Sequence, residues 1–192
     1  MTRTQRLLIA LTAALVLIGV AVWVTSVVRR RTAQPSGAVA NTSSDSTASS
    51  GRKIKARLYY VSLDGTKLMG IDREVPYVDG AAAQAQQIVS AQLAPPPAPL
   101  VSAIPPGTTL RALYLGGKGA AFVDLSKEAA VAHTGGSQDE MLTVYAIVNA
   151  LTANLPAITS VQLLVDGKEV DTLAGHIDLR KPLQKNLGII EP

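Results

Sequence analysis

The sequence predicts an α+β fold, in which a mixed β-sheet carries two helices packed on one face, preceded by a single transmembrane helix. Three observations support this class. A long uncharged apolar stretch lies near the start, a polar stretch follows it, and the remainder alternates between strand and helix patterns. From residue 52 the predicted order is strand, strand, helix, strand, strand, helix, strand, without an internal repeat.

The membrane anchor is predicted from Leu7–Val28, which contains no charged residue across 22 positions. As a helix it would be about 33 Å long, enough to cross a hydrocarbon core of roughly 30 Å. A cleaved signal peptide is the alternative, but its apolar region is usually ~7–15 residues long. We therefore expect an uncleaved helix over residues 7–28, preceded by a short basic N-terminus of residues 1–6.

Residues 29–51 are predicted to form a basic segment that ends the anchor, followed by a Ser/Thr-rich disordered linker. The polar part has too little hydrophobic bulk to fold. Arginines flank the anchor on both sides, so charge alone does not fix its orientation. We expect a single-pass protein of the inner (cytoplasmic) membrane whose C-terminal domain is extracytoplasmic.

Charge and cysteine content exclude several kinds of function. From residue 52 onward the sequence contains 13 Lys and Arg and 13 Asp and Glu. The high isoelectric point of the chain therefore comes from the basic residues around the anchor. A formally neutral domain argues against a nucleic-acid partner. The absence of cysteine excludes disulfides, a thiolate nucleophile, a Cys-based zinc site and a lipidated N-terminal cysteine.

The folded domain is predicted to span residues 52–185 and to be followed by a C-terminal tail at 186–192. It begins with two strands and a helix. The stretch "RKIKARLYYV" (52–61) alternates with period two, as in a half-buried strand. A turn signal at Asp64–Lys67 leads to a second strand ending at Pro76. Helical spacing of apolar residues then continues to the proline block at Pro95–Pro97.

A hairpin, a second helix and a last strand complete the predicted domain. Apolar residues alternate on both sides of "GGKG" (116–119), which is typical of a β-hairpin rather than of a phosphate-binding loop. The second helix begins near Ser137 and ends before Pro156. The segment "SVQLLVDGKEV" (160–170) predicts another strand with a turn at Asp166–Gly167.

The stretch "AVAHTGGSQDE" (130–140) contains candidate catalytic residues. His133 could act as a general base oriented by an acid, with Ser137 as nucleophile. The spacing favours a structural interpretation, because Ser137 and Glu140 form the S-x-x-E capping box just before a helical pattern. We predict that Ser137 and Glu140 cap the second helix and that Gly135 and Gly136 shape the loop before it.

An enzyme of envelope metabolism that uses His133, Asp124 and Glu140 is the alternative hypothesis, and it requires these side chains to converge in one pocket. His176 is the other histidine of the chain. Neither histidine has an i,i+4 partner for a metal, so we predict no metal site and no cofactor. The sequence does not fix where His133 or His176 points.

Five segments resemble the GerMN domain, which is named for spore-germination and sporulation proteins and also occurs in envelope proteins of bacteria that make no spores. They are "KARLYYVSLDGTKLMGIDREVP", "SAIPPGTTL", "GAAFVDLS", "GGSQDEMLTVYAIVNALT" and "ITSVQLLVDGKEVDTLAGHIDLRKPL", in this order. The resemblance covers nearly all of the predicted domain. It implies an α/β fold similar to the ring-building domains of envelope secretion systems, without known catalytic residues.

The roles that the resemblance implies are structural. Three residues would set the entry to the hairpin, two its exit, and three would cap the second helix, which also contains Asn149. These are Pro105, Pro106 and Gly107; Asp124 and Ser126; and Gly135, Gly136 and Ser137. The chain departs from many relatives by lacking a lipidated cysteine, by carrying one copy of the domain, and by having Ala150 where Thr is common.

We therefore expect a non-enzymatic binding or assembly module of the cell envelope. Its expected partners are envelope proteins, further copies of itself in a homo-oligomer, or a cell-wall glycan, with the membrane contacted through Leu7–Val28. A sporulation or germination role would apply only if the organism forms spores.

Overall fold

A computed structural model describes residues 51–192. The predicted anchor and most of the linker lie outside these residues. The elements in chain order are β1 (Lys53–Val61), β2 (Leu68–Pro76), α1 (Ala81–Leu93), β3 (Leu110–Leu115), a 3-10 turn (Gly117–Gly119), β4 (Ala120–Leu125), α2 (Glu128–Val131), α3 (Ser137–Asn154), β5 (Ser160–Val165) and β6 (Lys168–Glu169). The predicted strand and helix order is confirmed, with the short helix α2 and the two-residue strand β6 as additions.

The strands form two sheets, so the prediction of one mixed sheet is wrong in this respect. β1 and β2 pair antiparallel as a two-stranded sheet. The other sheet has the order β3-β4-β5-β6 and is mixed, because β4 and β5 run parallel while the outer pairs are antiparallel. Period-two patterns predict strands but not which strands pair, which is why the two sheets could not be separated in advance.

Side-chain amides, rather than a further strand, cover the outer edge of β1. Gln92 of α1 accepts a hydrogen bond from the Tyr59 N–H at 2.8 Å and donates to the Tyr59 carbonyl at 2.7 Å. Asn154 of α3 makes the same two contacts with Arg57, both at 2.8 Å. These bonds imitate a strand ladder, and they end the first sheet at β1.

Helices α1 and α3 pack against each other and contact strands of both sheets. Their apolar faces join Tyr60, Leu58 and Leu163 in one hydrophobic core. Two polar side chains, Gln92 and Glu140, are among the largest fully buried ones. Buried polar groups need hydrogen-bond partners, so these two residues mark where the interior fixes the chain by specific contacts.

The C-terminal residues pack onto the domain, so the folded part extends beyond residue 185. The Leu68 N–H donates to the Ile189 carbonyl and the Glu191 N–H to the Leu68 carbonyl, each at 2.8 Å. Asn149 of α3 binds both backbone groups of Asn186, at 2.9 and 3.0 Å. Within residues 51–192, no helix combines the length and the apolar character that crossing a membrane requires.

Candidate functional site

A cavity of about 350 Å³ lies beside the first turns of α3. Its walls are the end of β1 with the following loop, residues 101–106, residues 132–135, and the α3 side chains Asp139, Leu142 and Thr143. A concave site with an apolar wall and a few polar groups is the usual form of a binding site. The cavity is therefore the first candidate.

His133 lines this cavity and has a defined tautomer when neutral. Its Nε2 lies 3.2 Å from the Thr143 hydroxyl, and that hydroxyl donates to the Ala103 carbonyl. A hydroxyl carries one proton, so Thr143 must accept from His133, and Nε2 must be protonated. Nδ1 is then an acceptor in neutral His133, and it is buried without a partner among the described residues. An unpaired buried acceptor is unusual in a folded protein.

Large exposed apolar side chains lie in or directly beside the segments that line the same cavity. Val101 lines it and is 59% exposed; Leu63, 95% exposed, lies in the loop beside it; and Val131, 72% exposed, ends α2 just before the lining residues. Single exposed apolar residues are ordinary, whereas a group of them around a cavity is typical of an interaction site.

A second, more apolar groove of about 670 Å³ adjoins the first cavity. It runs from the C-terminal end of α1 to the start of β3, and Pro105 and Pro106 line both spaces. The turn that follows is closed by Thr108, whose hydroxyl and N–H both donate to the Pro105 carbonyl. Gly107 has φ of +82°, a backbone conformation that favours glycine, so this position of the turn favours glycine.

The capping-box prediction is wrong. Helix α3 begins at Ser137 with Gly136 as the N-cap residue, and no side chain caps it. Glu140 is fully buried and instead accepts hydrogen bonds from the N–H groups of Leu173, Ala174 and His176, at 2.8, 3.0 and 2.7 Å. Converging backbone donors from a distant loop bind a carboxylate better than the helix end does, because they satisfy both of its oxygens in the interior.

Burial alone would raise the pKa of the Glu140 carboxyl. The backbone N–H groups of residues 173, 174, 176 and 177 outweigh this effect and hold its pKa below the usual value. The ring of His176 adds a contact of 3.1 Å from Nδ1 to the carboxylate. Glu140 is therefore an ionised anchor for the loop after β6.

Gly135 and Gly136 differ in how closely other groups approach them. A Cβ at Gly135 would overlap the Asp139 carboxylate, whereas a Cβ at Gly136 would meet nothing within 4 Å. Gly135 thus lets the loop pass directly over the first turn of α3, and Asp139 faces the cavity from there.

Asp124 and Ser126 fix backbone groups near the end of β4. Asp124 accepts a hydrogen bond from the Gly167 N–H at 2.7 Å and lies 3.6 Å from the Arg111 guanidinium. Ser126 Oγ accepts from the Thr109 N–H at 3.1 Å. Both side chains hold loops in place.

The three candidate catalytic residues do not share a hydrogen-bond network. His133 contacts Thr143, Glu140 contacts the loop around His176, and Asp124 contacts Gly167. Only His133 lines the cavity. No group of three acidic or histidine side chains in residues 51–192 is arranged to hold a metal ion. The alternative enzyme hypothesis requires convergence, and these contacts do not provide it.

Residues 57–171 match the Germane family, which is described as sporulation and spore germination. The chain belongs to the Germane family. The match spans more than half of the 192 residues, and it covers the cavity, Glu140 itself and both main helices, whereas the loop that Glu140 binds follows it. The resemblance to the GerMN domain is thereby confirmed.

Solved structures agree with this Germane-family assignment. A Clostridium perfringens protein described as a lipoprotein is 29% identical, with a TM-score of 0.51, over 69% of this chain and 88% of that chain. The tandem GerMN domains of the sporulation protein GerM from Bacillus subtilis give 20% identity and a TM-score of 0.51, over 71% of this chain and 46% of that chain. The first GerMN domain alone gives 20% identity and 0.50, over 70% and 96%.

At 20% identity the two GerM structures support the fold only. None of the curated proteins matches this chain. Neither the family description nor the names of these structural neighbours mention an enzymatic activity. The Germane-family fold is thus established, and its two main helices and two sheets are shared with GerMN domains.

The sequence could not show the buried role of Glu140 or the cavity at His133. Glu140 matched a local pattern, and its true partners are 33 to 36 residues away along the chain. One signal for its burial was present in the sequence, because Glu140 occupies a position that continues the apolar face of the second predicted helix. The exposed residues around the cavity come from three separate segments, so no local motif connects them.

Proposed function

We propose that this Germane-family chain is a membrane-anchored, extracytoplasmic binding or assembly module of the cell envelope that works without catalysis. The anchor is the predicted helix over Leu7–Val28, and the described domain is the part that meets partners. The 29% identical structural neighbour described as a lipoprotein supports an envelope location. The partner class that we favour is an envelope protein.

The face around the His133 cavity carries this proposal. Leu63, Val101 and Val131 are the three most exposed large apolar side chains there, and apolar side chains in contact with water favour burial by a partner. A protein surface with apolar anchors and a polar rim meets this requirement.

Enzymatic activity is the weaker hypothesis. Glu140 and Asp124 accept hydrogen bonds from backbone N–H groups and neither lines the cavity, so neither meets a substrate bound there. His133 lacks an acid that orients it, since its Nε2 contacts a threonine hydroxyl.

Site-specific photocrosslinking in living cells tests the binding face. A photoreactive residue is placed at Leu63, Val101 or Val131 of the full chain, and at Lys168 as an exposed control outside the cavity. We expect the same identified protein to be captured from at least two positions around the cavity and not from the control. The capture from Leu63 and from Val101 should fall when Val131→Asp is introduced.

Equal capture from all four positions, or capture of unrelated proteins from each, would contradict a specific binding face. The proposed location has its own test, which is protease treatment of intact spheroplasts. Digestion of the domain is expected, and its protection would overturn the extracytoplasmic location. A sporulation or germination role is part of the proposal only for a spore-forming organism, in which deletion of the chain should lower the yield of viable spores.

A further inference from the structure

Strand edges are the places where a sheet can accept another chain, and most edges of this domain are covered. Gln92 and Asn154 cover β1, and the C-terminal residues cover the start of β2. Leu183 pairs with Val161 on the outer side of β5 by two hydrogen bonds of 2.8 Å. Within residues 51–192, this leaves the rest of β2, the outer edge of β3 and that of the two-residue strand β6, whose Lys168 and Glu169 are charged.

The unpaired backbone N–H and carbonyl groups on the outer edge of β3 belong to two residues. The Gly116 N–H bonds to the Ala120 carbonyl, and Tyr114 pairs with Phe122 in the same register. Antiparallel pairing alternates, so Tyr114 directs its N–H and carbonyl toward β4 while Leu113 and Leu115 direct theirs outward. Among residues 51–192 these four outward groups have no backbone or side-chain partner.

The β2 and β3 edges differ in charge. Along β2, Asp72, Arg73 and Glu74 follow one another, and self-pairing centred on Asp72 or Arg73 would place like charges opposite each other. β3 has no charge from Ala112 to Leu115, and its Tyr114 and Leu115 are 61% and 39% exposed. Charged residues protect natural edges from pairing, so the β3 edge lacks a protection that β2 has.

We propose that two copies of this chain pair antiparallel through their β3 edges, with the two-fold axis at Tyr114. In this register Leu113 of each copy lies opposite Leu115 of the other, and four backbone hydrogen bonds form. The two Tyr114 side chains lie directly opposite each other in a non-hydrogen-bonded pair, where side chains approach most closely. Arg111 lies opposite Gly117 of the other copy and Lys118 lies opposite its Leu110, so no like charges meet.

The pairing is self-complementary, which is the requirement for a closed two-fold dimer. Two short strands bury far less than the about 1,200–2,000 Å² of stable complexes. The contact is therefore weak, and it forms where copies are concentrated. It joins two four-stranded sheets into one and leaves the His133 cavity out of the contact.

Cysteine substitution tests the register directly, because the chain contains no cysteine. Tyr114→Cys is introduced into the full chain in mild detergent, and disulfide-linked dimer is measured after mild oxidation over a range of protein concentrations. A directly opposed pair is within reach of a disulfide. Leu63→Cys is the control, because Leu63 is more exposed than Tyr114 and reports random collisions. We expect Tyr114→Cys to form dimer faster and at lower concentration than Leu63→Cys.

A second variant separates strand pairing from the mere presence of a thiol. Leu115→Pro removes an outward N–H without removing a β3–β4 hydrogen bond. Added to Tyr114→Cys, it should lower dimer formation about fivefold or more, because both copies lose a hydrogen bond. Equal crosslinking of Tyr114→Cys and Leu63→Cys, or crosslinking that Leu115→Pro leaves unchanged, overturns the proposal. Such a failure would leave the His133 face untouched, since that face is tested by its own crosslinks.

Discussion

The Glu140 carboxylate accepts hydrogen bonds from both the backbone N–H and the ring Nδ1 of His176, at 2.7 and 3.1 Å. The two residues connect the first turn of α3 with the loop after β6, 36 residues later in the chain. Glu140 is fully buried, whereas the His176 side chain is 42% exposed. The backbone N–H groups, which the interior shields from water, therefore contribute more to this anchor than the imidazole does.

Replacement of the carboxylate should destabilise the domain. Glu140→Gln keeps the size of the side chain but offers one acceptor oxygen, and its NH2 group would face backbone donors. We expect a loss of about 2–4 kcal/mol in the free energy of unfolding. Urea unfolding of the full chain followed by far-UV circular dichroism measures it. His176→Ala is the matched control, and it should cost less than about 1 kcal/mol because its ring contact is partly exposed.

The contribution of Glu140 should depend on pH in a defined direction. Its pKa is lowered in the folded chain, so its stabilisation is complete above the unfolded value of about 4.3 and is lost as the pH falls through the folded value. The difference in unfolding free energy between the wild type and Glu140→Gln should be constant from neutral pH to about pH 5 and shrink below it. A difference that grows on acidification would contradict the ionised anchor.

Two adjacent glycines provide a matched pair of substitutions. Gly135→Ala should cost about 1–3 kcal/mol, because the added methyl overlaps the Asp139 side chain including its Cβ, so the backbone must shift. Gly136→Ala should cost less than about 1 kcal/mol, since its Cβ meets open space and only the N-cap preference changes. Thermal unfolding compares the two. In a background of Asp139→Gly, which also removes the Cβ that the new methyl would overlap, Gly135→Ala should cost much less, and an unchanged cost would mean that another contact causes it.

The two amide side chains on β1 should differ in their contributions. Gln92→Leu leaves the Tyr59 N–H and carbonyl unpaired in the interior, and we expect a loss of about 2–4 kcal/mol. Asn154→Ala exposes the corresponding groups of Arg57 to water, so it should cost about 1 kcal/mol or less. Chemical denaturation of both variants measures the difference. Equal losses would indicate that water reaches Tyr59 as readily as Arg57.

The sequence by itself determined the elements. Alternation over residues 52–61, the turn at Asp64–Lys67 and the helical spacing before the Pro95–Pro97 block predict structures that depend on neighbours within a few residues. The GerMN resemblance predicted the fold that these elements form, and the match to the Germane family confirmed the resemblance.

Only the tertiary structure decided the roles of the polar residues. The S-x-x-E spacing of Ser137 and Glu140 satisfies a local rule, but a buried carboxylate binds the donors that the interior brings to it, and those lie more than 30 residues away. Gln92 and Asn154 ended the first sheet at β1 in the same way. Side-chain periodicity indicates which residues are buried. The hydrogen-bond partners of a buried polar side chain depend on which distant backbone groups are left unpaired by packing, and these groups come together only when the chain is folded.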